Sequence, residues 1–304
     1  MLSEKIKNKE SGIILYGITP PKKGTDPAKV KEIADLQKQR LLPLNVDGLV
    51  IYDIQDEETR TQDERPFPFM ETLDAFEYGK DYLQDLSVQQ VIYRAVGKYS
   101  KPELSHFIET NKDNLSVFVG AASKSQSVSM KMNEAYELKK QTHADSLMGG
   151  VVISERHDSK KDEHLRVFKK IEQGCSFFIS QGVYDVEASK NFLSDYYYHA
   201  KANNLELAPI LFTLTPCGSA KTLQFMKWLG ISIPRWLENE LLNSGDILQT
   251  SVDYSEKCFK ELKEFADNKG ITIGCNIESV SVRKVEIEAS IDLVKRIQGI
   301  KASK

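Results

Sequence analysis

The residues best suited to chemistry are a carboxylate and an imidazole two positions apart, Glu155 and His157 in the segment SERH. A strand-end carboxylate can orient a histidine, and histidine titrates nearest to neutral pH. The pair is therefore predicted to act as a general acid and base. The alternative is that both side chains only bond loop backbone.

Two further polar residues are candidates for binding a ligand. Gln181 ends the apolar run FFISQ, and its neutral amide can meet both donor and acceptor edges of a heterocycle. The alternative for Gln181 is a buried amide that satisfies backbone groups. Lys170 closes an amphipathic helix, where it either complements the helix dipole or binds a phosphate group.

Short apolar runs, rich in β-branched and aromatic residues, alternate with longer amphipathic stretches along the chain, which predicts strands alternating with helices. The eight predicted strands are Gly12–Gly17, Gly48–Tyr52, Gln90–Ala95, Ser116–Gly120, Gly150–Ile153, Ser176–Gln181, Ala208–Phe212 and Gly270–Cys275. The clearest predicted helices are Asp26–Arg40, Asp185–Asn203 and Thr250–Asn268.

Eight strands separated by helices favour an α/β fold of the (β/α)8 type, with parallel strands closed into a barrel. An open doubly wound sheet is the competing architecture, but GITPPKKG after the first strand lacks its G-x-G-x-x-G fingerprint. Extra helices are expected in the C-terminal third, where Pro216–Leu242 predicts two short helices split near Pro234. We expect one barrel domain over residues 1–304.

In such a barrel, chemistry is carried by residues at the carboxyl ends of the strands. These ends are rich in aromatic and hydrogen-bonding groups, which favours a planar organic ligand over a two-metal site. They carry Tyr16, Thr19, Tyr52, Asp53, Tyr93, Arg94, Ala121, Ala122, Ser123, Glu155, His157, Gln181, Tyr184, Thr213, Thr215, Asn276 and Glu278. The connection Asp53–Phe69 is unusually long, so it is either a ligand-related loop or a solvated one.

Composition excludes several classes of protein. The 304 residues carry a net charge of −3, unlike the strongly basic balance of a nucleic-acid binder. The four cysteines lack a C-x-x-C pair, and no apolar run approaches the roughly 18 residues of a membrane span. We therefore expect a cytoplasmic protein without a nucleic-acid or membrane partner and without a bound metal. The oligomeric state is left open, with a homo-oligomer among the alternatives.

Four segments, in order along the chain, resemble the methylenetetrahydrofolate reductase family. Ile18–Gly24 (ITPPKKG) is similar to the family's F-F-P-P-K segment, and Ile153–His157 (ISERH) to its Y-P-E-x-H segment. Lys169–Phe192 (KKIEQGCSFFISQGVYDVEASKNF) resembles K-x-x-A-G-A-x-x-x-I-T-Q-x-F-F-D followed by F. Pro209–Trp236 is similar to the segment from P-G-I-x-P to I-P-x-W.

The resemblance implies a flavin-dependent (β/α)8 barrel that acts on a folate-like, one-carbon substrate. It implies FAD as cofactor and NADH or NADPH as electron donor. It puts Gln181 on the family's folate-contacting glutamine and Lys170 on a flavin-contacting lysine.

Three positions depart from the family pattern. The acid of the first strand is Gly17, the aspartate after strand four is Ala121, and the histidine of strand three is Tyr93. Because neither glycine nor alanine can transfer a proton, the acid must come from Glu155, His157 or Glu278 if reduction is retained. The alternatives are a folate- or flavin-binding protein without reductase activity, and a folate-dependent methyl transfer without hydride chemistry.

Overall fold

The computed structural model describes residues 1–57, 61, 63–121, 127–142 and 145–302, with residues 301 and 302 described as backbone only. Eight parallel strands form a closed barrel in sequence order, and β1 also pairs with β8. The predicted (β/α)8 fold is confirmed. The strands are β1 (Ile14–Ile18), β2 (Gly48–Ile51), β3 (Gln89–Ala95), β4 (Leu115–Val119), β5 (Met148–Val152), β6 (Cys175–Gly182), β7 (Ile210–Leu214) and β8 (Ile273–Ile277).

Each of the eight predicted strands overlaps an observed one, with ends displaced by up to three residues. The barrel closes because β1 is paired on both edges, with Leu15 opposite Gly48 of β2 and Asn276 of β8. Closure leaves no free sheet edge, so the backbone hydrogen bonds of the strands are satisfied within the barrel.

Helices surround the barrel, as expected for parallel strands joined by crossovers. In the described residues they are α1 (Leu2–Lys7), α2 (Pro27–Leu41), α3 (Ala75–Tyr82), α4 (Lys101–Thr110), α5 (Met132–Thr142), α6 (His157–Lys160), α7 (Glu163–Glu172), α8 (Val186–Asn203), α9 (Ala220–Trp228), α10 (Arg235–Asn243), α11 (Ile247–Asp267) and α12 (Lys284–Ala302). The two short helices predicted in Pro216–Leu242 are α9 and α10, and Pro234 is the N-cap of α10.

Local sequence signals set several helix ends. The carboxylate of Asp185 accepts a hydrogen bond from the backbone N–H of Ala188 and so caps the start of α8. After α11 the chain reverses at Gly270, whose φ of +68° favours glycine. None of the helices in the described ranges combines the length and the apolarity that a membrane crossing requires.

Two apolar layers stabilise the barrel. The inner layer fills the barrel with side chains such as Leu15, Val91 and Phe177, and the outer layer lies between strands and helices. Helix α1 belongs to the inner layer, because Leu2 and Ile6 are buried in the same cluster. The amino-terminal end of the barrel is therefore covered by α1, and polar residues gather at the opposite end.

Candidate functional site at the carboxyl ends of the strands

The opposite end, which we call the barrel mouth, is lined by residues that continue the inward-facing positions of the strands. Side chains alternate between the two faces of a strand. Ile179 and Leu211 face the inside of the barrel, so Gln181 and Thr213, two positions further along the same strands, face inward as well. Tyr93 is buried in the inner layer, and Tyr52 packs against it with ring centroids 4.7 Å apart. The mouth thus has an aromatic side on β2 and β3 and a polar side on β6 to β8.

A hydrogen-bond network crosses the floor of the mouth. The amide nitrogen of Asn276 donates to the Tyr52 hydroxyl over 2.8 Å and to the Thr213 hydroxyl over 3.2 Å. Thr213 in turn donates to the backbone carbonyl of Ser180 over 2.6 Å. These bonds hold the Asn276 amide in one orientation, and its oxygen Oδ1 is left buried without a partner.

Glu278, which follows β8, lies beside Gly17, the position where the resemblance placed an acid on the first strand. A Cβ added at Gly17 would lie 3.2 Å from the Glu278 Cβ and 3.3 Å from its Oε2. Burial raises the pKa of the Glu278 carboxyl to about 7, while the adjoining Tyr52 and Asn276 side chains act in the opposite direction. Of the three candidate acids, Glu278 is thus the one beside Gly17, and it can exchange a proton near neutral pH.

Gln181 faces the mouth from β6. Its amide nitrogen donates to the backbone carbonyl of Leu229 over 2.6 Å, and its oxygen Oε1 is buried without a partner. The bond to Leu229 fixes the amide so that the acceptor remains unused. The amide nitrogen of Gln181 therefore bonds a backbone carbonyl, as the structural alternative expected, while its oxygen Oε1 could accept a hydrogen bond from a ligand.

Glu155 lies at the rim of the barrel and is bonded entirely to backbone. Its Oε1 accepts hydrogen bonds of 2.7 Å from the N–H groups of Tyr184 and Asp185, and its Oε2 accepts one of 3.0 Å from Ser232. Burial raises its pKa to about 7 despite these three donors. This geometry favours the structural alternative, in which Glu155 joins the loop after β6 to the connection between α9 and α10.

His157 is not brought together with Glu155. A 3-10 turn, Ser154–Arg156, turns the chain outward, and the fully buried His157 bonds through Nε2 to Asp195 of α8 over 2.9 Å. Its ring packs against His164 and Phe192, both on helices outside the barrel. The acid/base pair predicted from the sequence is therefore split between the rim and the helical layer.

Lys170 also lies outside the barrel wall. Its Nζ donates to the backbone carbonyl of Val151, and its stem packs beside Gly150. Burial lowers the pKa of its ammonium group. The structure thus does not bring Lys170 together with Gln181, and its location does not support the predicted contact with phosphate.

The described part of the loop Asp53–Phe69 reaches over the mouth, although residues 58–60 and 62 lie outside the described residues. Gln55 donates to the backbone carbonyl of Gly120 after β4 over 3.0 Å. At the other side, the Trp228 indole of α9 donates to the Asp63 carbonyl over 3.0 Å. Arg65 lies over the Trp228 ring at 5.0 Å. No sequence pattern predicts these partners, because Trp228 lies 165 residues after Asp63 in the chain.

The loop after β4 carries another of the positions that depart from the family pattern. Ala121 is exposed, whereas Ala122 and Ser123 lie outside the described residues. Val119 packs partly against the inner apolar layer. The described residues of this segment therefore present no carboxylate to the mouth.

A closed parallel barrel with its polar residues at the carboxyl ends of the strands defines a (β/α)8 protein whose site lies at that face. The family model described as methylenetetrahydrofolate reductase matches residues 122–264. A solved structure from Clostridium thermocellum, of a protein that binds two copies of 5-methyl-5,6,7,8-tetrahydrofolic acid, is 55% identical. The match covers 99% of this chain and 100% of that chain, with a TM-score of 0.88. The chain belongs to the methylenetetrahydrofolate reductase family.

More distant structures share only the fold. Dihydropteroate synthase from Xanthomonas albilineans is 9% identical, with 97% of this chain and 95% of that chain covered and a TM-score of 0.52. A psychrophilic endo-β-1,4-xylanase of glycoside hydrolase family 10 is 10% identical, with coverages of 98% and 99% and a TM-score of 0.51. No curated protein matches the chain.

Proposed function

We propose that this protein binds a reduced folate of the 5-methyltetrahydrofolate type, with the pterin ring in the barrel mouth. The observation that carries the proposal is a set of three buried acceptor oxygens without hydrogen-bond partners: Gln181 Oε1, Asn276 Oδ1 and Glu278 Oε2. Buried polar atoms are nearly always paired in native proteins. A reduced pterin supplies the missing donors through its exocyclic amino group and its ring N–H groups.

The surroundings of these oxygens support a flat heterocycle. Tyr52, whose hydroxyl accepts a hydrogen bond from Asn276, packs against Tyr93 beside these oxygens, and aromatic faces and edges favour contact with planar rings. The relative from Clostridium thermocellum, which binds 5-methyltetrahydrofolate, supports the same class of ligand. The family and the residues of the mouth therefore both support a reduced folate as the ligand.

Glu278 is proposed to hold or move a proton at the bound pterin. Its pKa of about 7 allows both protonation states at neutral pH. When protonated, its carboxyl can donate to a ring nitrogen, and when ionised it accepts from an N–H group. The acid that Gly17 no longer supplies from β1 is thus supplied from the end of β8.

Reduction of the folate with FAD and NADH or NADPH is the second candidate function, and the pKa of Glu278 is what favours it. FAD, when bound, would supply hydride transfer. The residues that the resemblance assigns to the flavin do not fit it here, since Lys170 is bonded to the Val151 carbonyl and Ala121 replaces an aspartate. Folate binding without a flavin is therefore the function that we favour.

Isothermal titration of the full chain with 5-methyltetrahydrofolate tests the proposal. We expect Gln181→Ala to weaken binding by about tenfold or more, because a buried pterin donor loses its acceptor. Gln249→Ala, the same change at an exposed position on α11, should leave the affinity unchanged. Absence of binding to the unaltered protein, or equal affinities for all three proteins, would contradict the proposal.

The visible spectrum of freshly purified protein separates the two candidates. A protein that is colourless and takes up no FAD, but binds the folate, supports binding alone. Oxidation of NADH or NADPH that depends on methylenetetrahydrofolate would establish the reductase instead.

A further inference from the structure

A cluster of histidines lies on the outside of the barrel, away from the mouth. It comprises three histidines, His157 of α6, His164 of α7 and His199 of α8, together with the carboxylate of Asp195 on α8. The His164 ring centroid lies 5.2 Å from that of His157 and 5.4 Å from that of His199. Asp195 and His199 are one helical turn apart and therefore share a face of α8. Three separate helices thus contribute imidazole or carboxylate groups to one place.

The cluster has unused bonding capacity. The Nδ1 atoms of His157 and His164 are both buried without a hydrogen-bond partner. His157 is completely buried and His164 is 9% exposed, so water does not readily replace the missing partners. A neutral imidazole has a lone pair to offer to a metal ion.

We propose that His157, His164 and Asp195 bind a divalent transition-metal ion of the zinc type. One ligand atom from each of the three residues lies within 4.8 Å of the others, and His157 Nε2 is 2.9 Å from Asp195 Oδ2. Tetrahedral zinc with bonds of about 2.0–2.2 Å needs ligand atoms about 3.3–3.6 Å apart. The observed separations, 2.9 Å for His157 Nε2 and Asp195 Oδ2 and at most 4.8 Å within the set, lie on both sides of this spacing, so binding requires a side-chain adjustment.

The donor set matches zinc better than calcium or magnesium. Two imidazole nitrogens and one carboxylate are typical zinc ligands, whereas Ca²⁺ and Mg²⁺ are bound by oxygen. The fourth position falls to water or to His199, which lies partly exposed beside His164. The ion would join α6, α7 and α8 on the outer surface and so stabilise the segment that carries Glu155, while the mouth remains free.

Metal-stripped full-length protein titrated with ZnCl₂ tests the site. We expect one Zn²⁺ per chain, a rise in the thermal midpoint on saturation, and, with Co²⁺ as a probe, the visible absorption of a four-coordinate ion. Asp195→Asn should lower the affinity by at least about tenfold, since even substitutions beyond the direct ligands cost this much. His164→Gln should do the same.

His106→Ala is the matched control, because His106 is exposed on α4, far along the chain from the cluster. It should bind Zn²⁺ like the unaltered protein. If His164→Gln does not fold, Asp195→Asn still decides, since this carboxylate is 54% exposed. Binding of less than one ion, or equal affinities of Asp195→Asn and the unaltered protein, would overturn the site. These results do not depend on whether folate binds in the mouth.

Discussion

Replacing Glu278 by glutamine tests the electrostatics of the mouth most directly. The carboxyl has a pKa raised from 4.5 to about 7 by burial in the folded protein. The unfolded chain therefore releases this proton at lower pH than the folded protein does. Stability from Glu278 is fully present below about pH 4.5 and is lost as pH rises through about 7.

The magnitude follows from the difference between the two pKa values. A difference of about 2.5 units corresponds to about 3 kcal/mol of folding free energy. Glutamine is similar in shape to protonated glutamate but does not ionise. Glu278→Gln should thus have nearly the stability of the unaltered protein at pH 5 and exceed it by up to about 3 kcal/mol at pH 8.

Urea unfolding followed by tryptophan fluorescence, at several pH values between 5 and 8, measures the difference. Glu264→Gln, the same substitution at an exposed position of α11, should show no comparable gain at pH 8. A difference between Glu278→Gln and the unaltered protein that stays constant with pH would refute the reasoning. It would mean that the carboxyl is not deprived of solvent in the folded state.

Two further substitutions test the packing of the mouth and its rim. Gly17→Ala should cost about 1–3 kcal/mol in unfolding free energy, because the added methyl lies 2.8 Å from the Tyr52 ring. Gly299→Ala, where the added methyl meets open space in α12, should not destabilise, and equal effects would contradict the explanation. Glu155→Gln should cost about 1–3 kcal/mol, because an amide cannot accept all three backbone hydrogen bonds, and thermal unfolding checks this. An unchanged midpoint for Glu155→Gln would mean that the loops do not need the carboxylate.

The fold was predictable because each barrel strand is a short apolar run with a polar or glycine boundary. The observed strand ends differ from the predicted ones by up to three residues, because hydrogen bonding to the neighbouring strands, and not composition, decides where a strand ends. The strand ends also located Gln181, Asn276 and Glu278 at one face, because parallel strands share their carboxyl ends. The assignment of residues 1–304 to one domain stays a prediction.

The structure places the two members of the predicted acid/base pair apart for a local geometric reason. Glu155 and His157 are two positions apart in a helical turn, and such positions point to different sides. Lys170 lies on a helix outside the wall, and its sequence pattern did not reveal that its ammonium group would meet a strand carbonyl. The partners of Arg65 were unpredictable because contacts between a loop and a distant helix leave no periodic signal.

Helix α1 at the base leaves a ligand in the mouth with one route for both entry and departure. The loop held to α9 by Asp63 and Arg65 lies on that route. When a ligand enters and leaves over a single energy barrier, lowering that barrier increases the association and dissociation rate constants by the same factor. If the proposed folate binds in the mouth, a substitution that loosens this loop and leaves the oxygens of Gln181, Asn276 and Glu278 in place should therefore change both rates and leave the affinity unchanged.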